Sequence, residues 1–309
     1  MGAGVLPEGF LVGHWTGREA ATGCTVVIPP PGSRCGVDVR GGGPGTRETD
    51  VIGPLAGPHE ASAVLLSGGS AFGLAAADGV MSWLEEQGRG HPTPGGLVPI
   101  VPSAVIYDLT EGEGSVRPGP AQGRAACEAA SADDPGRGRV GAGTGAAVGK
   151  ILGREHACPG GIGVASAISG RGERVTALAV VNAFGDVVDE DGSLLGAARG
   201  EGGESVSTAE TIAAMQAPPD WSRIEERNTT LVCVLTDAGL DRGACIRVAR
   251  MASAGVARAV DPVFSDVDGD VVFCLSSGES REDRFAALAV GTLAATVTAA
   301  AIRDAVRAR

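Results

Sequence analysis

Aromatic side chains are scarce in this chain: six Phe, three Trp and one Tyr among 309 residues. Histidine is rarer still, and its four copies at 14, 59, 91 and 156 lie far apart. The seven cysteines (24, 35, 127, 158, 233, 245 and 274) form no CxxC pair, so neither residue type offers the ligand spacing of a zinc site. They read as reduced, mostly buried thiols. Basic charge is also short. Lys and Arg number 25 against 37 Asp and Glu, a net charge of −12, which withholds the positive field that drives nucleic-acid binding. Met1 to Phe10 lacks the basic and apolar regions of a secretory signal, which points to the cytoplasm. A long uncharged run, Phe285 to Ile302, holds eight Ala and three Thr. That is too weakly apolar for a membrane span and predicts a buried helix.

Small residues take the place of large ones. Gly occurs 50 times without a three-residue period, which excludes collagen. A 43% hydrophobic content and a mean hydropathy of +0.14 predict a folded chain with a sizeable core. Apolar runs at 24–28, 62–66, 98–109, 175–181, 230–235 and 271–275 predict strands. Helical patterns cover 70–87, 121–130, 208–215, 242–254 and 284–307. This alternation argues for a layered α/β protein. The Gly/Pro-rich stretches 29–46, 88–97 and 133–145 predict loops, and the polar segment Gln216 to Asn228 predicts an exposed linker.

Common catalytic signatures are missing. There is no GxSxG elbow, and no histidine lies in a context that suggests a Ser-His-Asp triad. The run Gly141 to Lys150 resembles a phosphate loop only superficially: a Walker A match needs Gly at 144 and Ser or Thr at 151, where the chain has Thr144 and Ile151.

Five segments in one order carry more weight. They are Leu66 to Leu74 with Ala76 to Met81; Val98 to Leu109; Gly141 to Lys150; Val180 to Asp186; and Asn228 to Leu231 with Asp268-Gly269-Asp270. Together they resemble the L-aminopeptidase/D-esterase family of self-cleaving hydrolases with an N-terminal nucleophile. That family includes the β-peptidyl aminopeptidases and the nylon-oligomer hydrolases. The resemblance runs from about residue 10 to the C-terminus.

The resemblance implies a single-domain, four-layer α/β/β/α sandwich spanning 1–309. It implies one self-cut at Asn228-Thr229, giving an α chain 1–228 and a β chain 229–309. A Thr hydroxyl held against its own preceding carbonyl can attack it, and the α-amine freed by the cut, with a reference pKa near 8, can then act as base to the hydroxyl of the same residue. The expected roles follow position by position. Thr229 is the nucleophile, Asn182 an oxyanion donor and Lys150 a cation near the new amine. Tyr107 is a hydrogen-bonding group at the site, and Asp268 and Asp270 orient the nucleophile. A Thr nucleophile with two aspartates is closest to the nylon-oligomer hydrolases, so the expected substrate is a linear amide oligomer, with aminopeptidase action on short peptides as the alternative. An ornithine-acetyltransferase-like acyltransferase and a non-processing binding protein are weaker alternatives. The family resemblance implies no metal or organic cofactor and a homo-oligomer, a tetramer of αβ units; no membrane partner is expected. Ser265 departs from a family Thr, and Asp261 adds an acid near the site segment.

Each residue also has an ordinary structural reading. Asn182 could cap a turn, Lys150 could sit in solvent, and Asp268-Gly269-Asp270 could close a hairpin.

Overall fold

The structure is a computed structural model that describes residues 5–57, 60–217, 228–280 and 283–308. Most of the predicted linker lies outside the described residues. In chain order the main strands are β1 (Leu11–Gly17), β2 (Thr22–Ile28), β3 (Arg34–Val39), β4 (Thr46–Arg47) and β5 (Val64–Ser67). They continue with β6 (Ser103–Val105), β7 (Gly161–Ile168), β8 (Arg174–Asn182), β9 (Thr229–Thr236) and β10 (Val271–Ser276). The helices are α1 (Ala76–Glu86), α2 (Pro120–Glu128), α3 (Thr208–Ala214), α4 (Arg242–Ala257) and α5 (Arg284–Arg307).

Two five-stranded sheets form, in the orders β1-β2-β5-β6-β4 and β7-β8-β9-β10-β3. Each contains one parallel pair, β5 with β6 and β9 with β10, and its other pairs are antiparallel. Both parallel pairs are joined through a helix, α1 in the first sheet and α4 in the second, as a parallel crossover requires.

Side-chain alternation sorts the apolar residues into layers. Val27, Leu66 and Ala104 of the first sheet meet Leu178, Val180, Leu231, Cys233 and Phe273 of the second in one shared core. The opposite faces are covered by helices. Val26, Ile28 and Leu65 pack with Val80 and Leu84 of α1 and Cys127 of α2, while Ala179, Val232, Val272 and Cys274 pack with residues of α4 and α5. Strands buried on both faces read as continuous apolar runs, which is why 230–235 and 271–275 were legible.

The helix α5 is long and apolar enough to cross a membrane by composition alone. Here Val290, Ala294, Val297, Ala301 and Ile302 pack against the second sheet. Its alanines permit a tight fit: a Cβ at Gly163 would lie 1.9 Å from the carbonyl oxygen of Ala301. Both long helices start on an aspartate. Asp241 accepts the Ala244 N–H at 2.7 Å, and Asp283 accepts those of Phe285 and Ala286 at 2.9 and 3.1 Å.

Several local expectations change. The stretch 29–46 contains edge strand β3 and the first residue of β4. The sequence Arg-Cys-Gly-Val-Asp-Val in β3 carries too little apolar contrast to announce a strand. It forms one because β10 offers a free edge. The stretch 88–97 contributes to a small hairpin, 91–93 with 96–98. The helix predicted from Ser70 opens as a 3-10 turn over Ser70–Ala75, and Phe72 is exposed beneath the Arg117 guanidinium, 3.8 Å from the ring centre. Asp268-Gly269-Asp270 is not a hairpin turn. It runs beside Asn228, with a parallel bridge between Asn228 and Asp268, and leads into β10.

Candidate active site

The antiparallel register of β8 with β9 sets Asn182, the last residue of one strand, opposite Thr229, the first of the other. Leu178 and Val180 of β8 point into the intersheet core, as do Leu231 and Cys233 of β9. By the same alternation, Asn182 and Thr229 face that layer at its end. Both are buried, Asn182 fully and Thr229 to 3% exposure. The Thr229 hydroxyl donates to the carbonyl oxygen of Asn228, 2.6 Å away. The same oxygen accepts the N–H of Gly269 at 2.6 Å, and the Asn228 N–H donates to Val267 O at 3.0 Å.

Lys150 is brought in by the backbone. Gly149 N–H donates to Gly185 O and Lys150 N–H to Phe184 O, each at 3.0 Å, which ties this loop to the chain just past Asn182. The Lys150 ammonium, 4% exposed, donates to the Asn182 side-chain oxygen at 2.9 Å and to its backbone oxygen at 3.2 Å. That side-chain oxygen also accepts Ala147 N–H at 3.0 Å, and the Asn182 Nδ2 donates to the Tyr107 carbonyl at 3.1 Å. Asn182 therefore ties β8 to the chain just past β6 and to the lysine loop, and does more than cap a turn. What Tyr107 contributes to Asn182 is its backbone carbonyl; its phenol makes no hydrogen bond to the described residues.

The two aspartates flank the Asn228-Thr229 bond without touching the nucleophile's hydroxyl. Asp270 accepts the Thr230 N–H at 2.5 Å and the Phe264 N–H at 3.3 Å. Asp268 accepts the backbone N–H of Ser265 at 3.0 Å and the Ser265 hydroxyl at 2.5 Å. Burial pushes the Asp270 carboxyl up to about 7, with the negative field of Asp268 adding to it. Asp268 is also raised, chiefly by burial, against its hydrogen bonds and the nearby Lys150 charge. The Ser265 hydroxyl, which stands where the family has Thr, thus anchors Asp268. Asp261 lies opposite Asp186, whose carboxyl burial raises to about 6 and which holds the N–H and hydroxyl of Thr208 at 2.6 and 2.7 Å.

Two further residues belong to this neighbourhood. Gly269 carries no side chain and therefore no chemical signature. Asp108, next to Tyr107, is buried, accepts Gly69 N–H at 2.7 Å and lies within the field of Lys150. Among the described residues no group of three or more metal-ligating side chains assembles.

A hydroxyl hydrogen-bonded to its own preceding carbonyl, beside a buried cation and a buried amide, is a constellation for acyl transfer. The fold agrees. A β-aminopeptidase from Burkholderia sp. superposes with a TM-score of 0.71 at 21% identity, covering 98% of this chain and 85% of that one. An L-aminopeptidase D-Ala-esterase/amidase from Ochrobactrum anthropi, described as a variant of the Ntn hydrolase fold, gives 0.68 at 18% identity, covering 97% and 84%. These likenesses, at 21% and 18% identity, show a shared α/β fold. Within it, residues 8–308 match the model of peptidase family S58, and the chain belongs to that family. An uncharacterized aminopeptidase of Mycobacterium tuberculosis is 45% identical over 282 residues, 87% of this chain and 80% of the relative. A 6-aminohexanoate-oligomer endohydrolase of Paenarthrobacter ureafaciens is 31% identical over 276 residues, 88% of this chain and 74% of the relative. The protein is a hydrolase of amide or peptide bonds.

Proposed function

We propose that the chain cuts itself at Asn228-Thr229 and that the freed Thr229 then hydrolyses amides through an acyl-enzyme. The carrying observation is the 2.6 Å contact between the Thr229 hydroxyl and the carbonyl oxygen of Asn228. In the uncut chain Thr229 is almost fully buried, so cutting is also what exposes the nucleophile to substrate. After the cut, the α-amine of Thr229 serves as base to its own hydroxyl. Lys150 lowers the pKa of that amine, and the second N–H of Asn182 Nδ2 meets the oxyanion of the substrate. Asp268 and Asp270 hold the backbone on which Thr229 rides. The helix layers outside two facing sheets support a four-layer α/β/β/α sandwich in one domain, 1–309, divided into chains 1–228 and 229–309.

The substrate in this reading is a linear amide oligomer of the 6-aminohexanoate type, a small molecule bound without a metal or organic cofactor. The named endohydrolase relative and the Thr-with-two-Asp pattern support it. Aminopeptidase action on short peptides is the second reading, supported by the 45% identical mycobacterial relative. The working form is a homo-oligomer, a tetramer of αβ units, in the cytoplasm, where seven free thiols suit a reducing compartment. Intact-mass analysis tests the cut: two chains divided before Thr229 support it, and one uncut chain refutes it. Parallel assays on 6-aminohexanoate oligomers and on aminoacyl anilides separate the substrates.

A further inference from the structure

We propose that the backbone N–H of Gly269 is the oxyanion donor of the self-cleavage step, a role separate from that of the Asn182 amide. The proposal rests on the reading that Thr229 cuts the bond before it. When the Thr229 oxygen adds to the Asn228 carbonyl carbon, negative charge develops on the carbonyl oxygen. That oxygen already accepts the Gly269 N–H at 2.6 Å. The Asn182 nitrogen spends one N–H on the Tyr107 carbonyl and makes no hydrogen bond to the Asn228 oxygen, so its second N–H stays available for a substrate. A donor fixed in place before charge appears, in a buried site, is the arrangement that lowers such a barrier.

The surrounding contacts build this donor. Asn228 is clamped to the 267–269 segment by two backbone bonds, its N–H to Val267 O and its carbonyl to Gly269 N–H. Asp268 grips Ser265 through both its N–H and its hydroxyl, and Asp270 grips Thr230 and Phe264. The peptide between them is thereby held still, which makes the two carboxylates positioning residues for the Gly269 N–H. A side chain is also excluded there. A Cβ at Gly269 would stand 2.8 Å from the Thr229 hydroxyl oxygen and 2.9 Å from Gly43 O.

The step balances within the chain. A bond forms between the Asn228 carbonyl carbon and the Thr229 side-chain oxygen, and the Asn228-Thr229 C–N bond breaks. The hydroxyl proton ends on the Thr229 nitrogen, leaving an ester and a free amine. Water then splits the ester into an Asn228 carboxylic acid and the restored Thr229 hydroxyl.

Incorporating glycolic acid in place of Gly269 by nonsense suppression converts that amide to an ester, which deletes the donor and weakens the Asp268 carbonyl that accepts the Gly43 N–H. Processing, followed as the half-life of the uncut chain on denaturing gels, should slow by roughly 10²–10³-fold, the usual cost of one oxyanion donor. A half-life equal to that of the natural chain would overturn the proposal. A wild-type chain that never cuts would instead remove the reading of Thr229 itself. Hydrogen exchange covers the case in which the ester variant fails to fold. In the uncut Thr229→Ala protein the Gly269 amide should be strongly protected, and rapid exchange there would also overturn the proposal.

Discussion

Replacing Asn182 by Ala should unfold the protein more easily as well as slow its chemistry. The side chain is fully buried and makes three hydrogen bonds: to Lys150 Nζ, to Ala147 N–H and to Tyr107 O. Its removal leaves the Ala147 N–H and the Tyr107 carbonyl buried without this partner, while Lys150 keeps the backbone oxygen of residue 182. An unsatisfied buried polar group costs about 1–3 kcal/mol. A water molecule entering the vacated space recovers part of this, so the low end applies, about 2 kcal/mol in all. For 309 residues, at about 2.1 cal/mol/K of unfolding entropy per residue, this is a fall of about 3 °C in Tm. The assay is calorimetry in a Thr229→Ala background, which keeps every sample as one uncut chain. Asn182→Asp is the companion variant. It keeps the oxygen that accepts Lys150 and Ala147 and loses the donor to Tyr107, so its Tm should fall by less. A drop below about 1 °C for the alanine variant would show that the three contacts carry no weight, and the hub role of Asn182 would be wrong.

Thr229→Ala itself should give a soluble, single uncut chain with no amidase activity, because it removes the nucleophile of both reactions while deleting few packing atoms; cutting at the same bond, seen by mass, would refute the assignment. Lys150→Met should move the ascending limb of kcat/KM to higher pH by about one unit in fully processed enzyme, since a neighbouring positive charge disfavours protonation of the Thr229 amine. A limb that stays put would leave Lys150 a positioning role only. Stability should also depend on pH in a stated direction. Asp186 and Asp270 have folded-state values of about 6 and about 7, both raised above the ordinary carboxylate range. Their stabilising contribution is full below the unfolded value near 4 and is lost as pH rises through the folded one. Urea unfolding of the uncut Thr229→Ala protein should therefore show a decline from these groups between about pH 4 and 7, and Asp270→Asn should flatten it. An unchanged slope in that variant would contradict the raised Asp270 carboxyl.

The sequence by itself determined the kinds of chemistry available. An Asn-Thr bond at the head of an apolar strand, a lysine after a glycine run and an asparagine at the end of a second strand were singled out by the family resemblance of five segments in one order. Each residue type alone also has an ordinary structural reading. Strands buried on both faces and helices with a repeated apolar pattern were visible in the pattern of apolar side chains. Edge strand β3 was not, since its pairing depends on a partner more than two hundred residues away. Tertiary structure alone decided that Asn182 lies opposite Thr229, that Tyr107 reaches Asn182 through its carbonyl, and that Gly269 points its N–H at the carbonyl before Thr229. Every residue except proline carries that same backbone donor and acceptor, so no residue type announces where they will be used. Strand register and the clamps around Asp268 and Asp270 made that choice, and they exist only once the distant segments have come together.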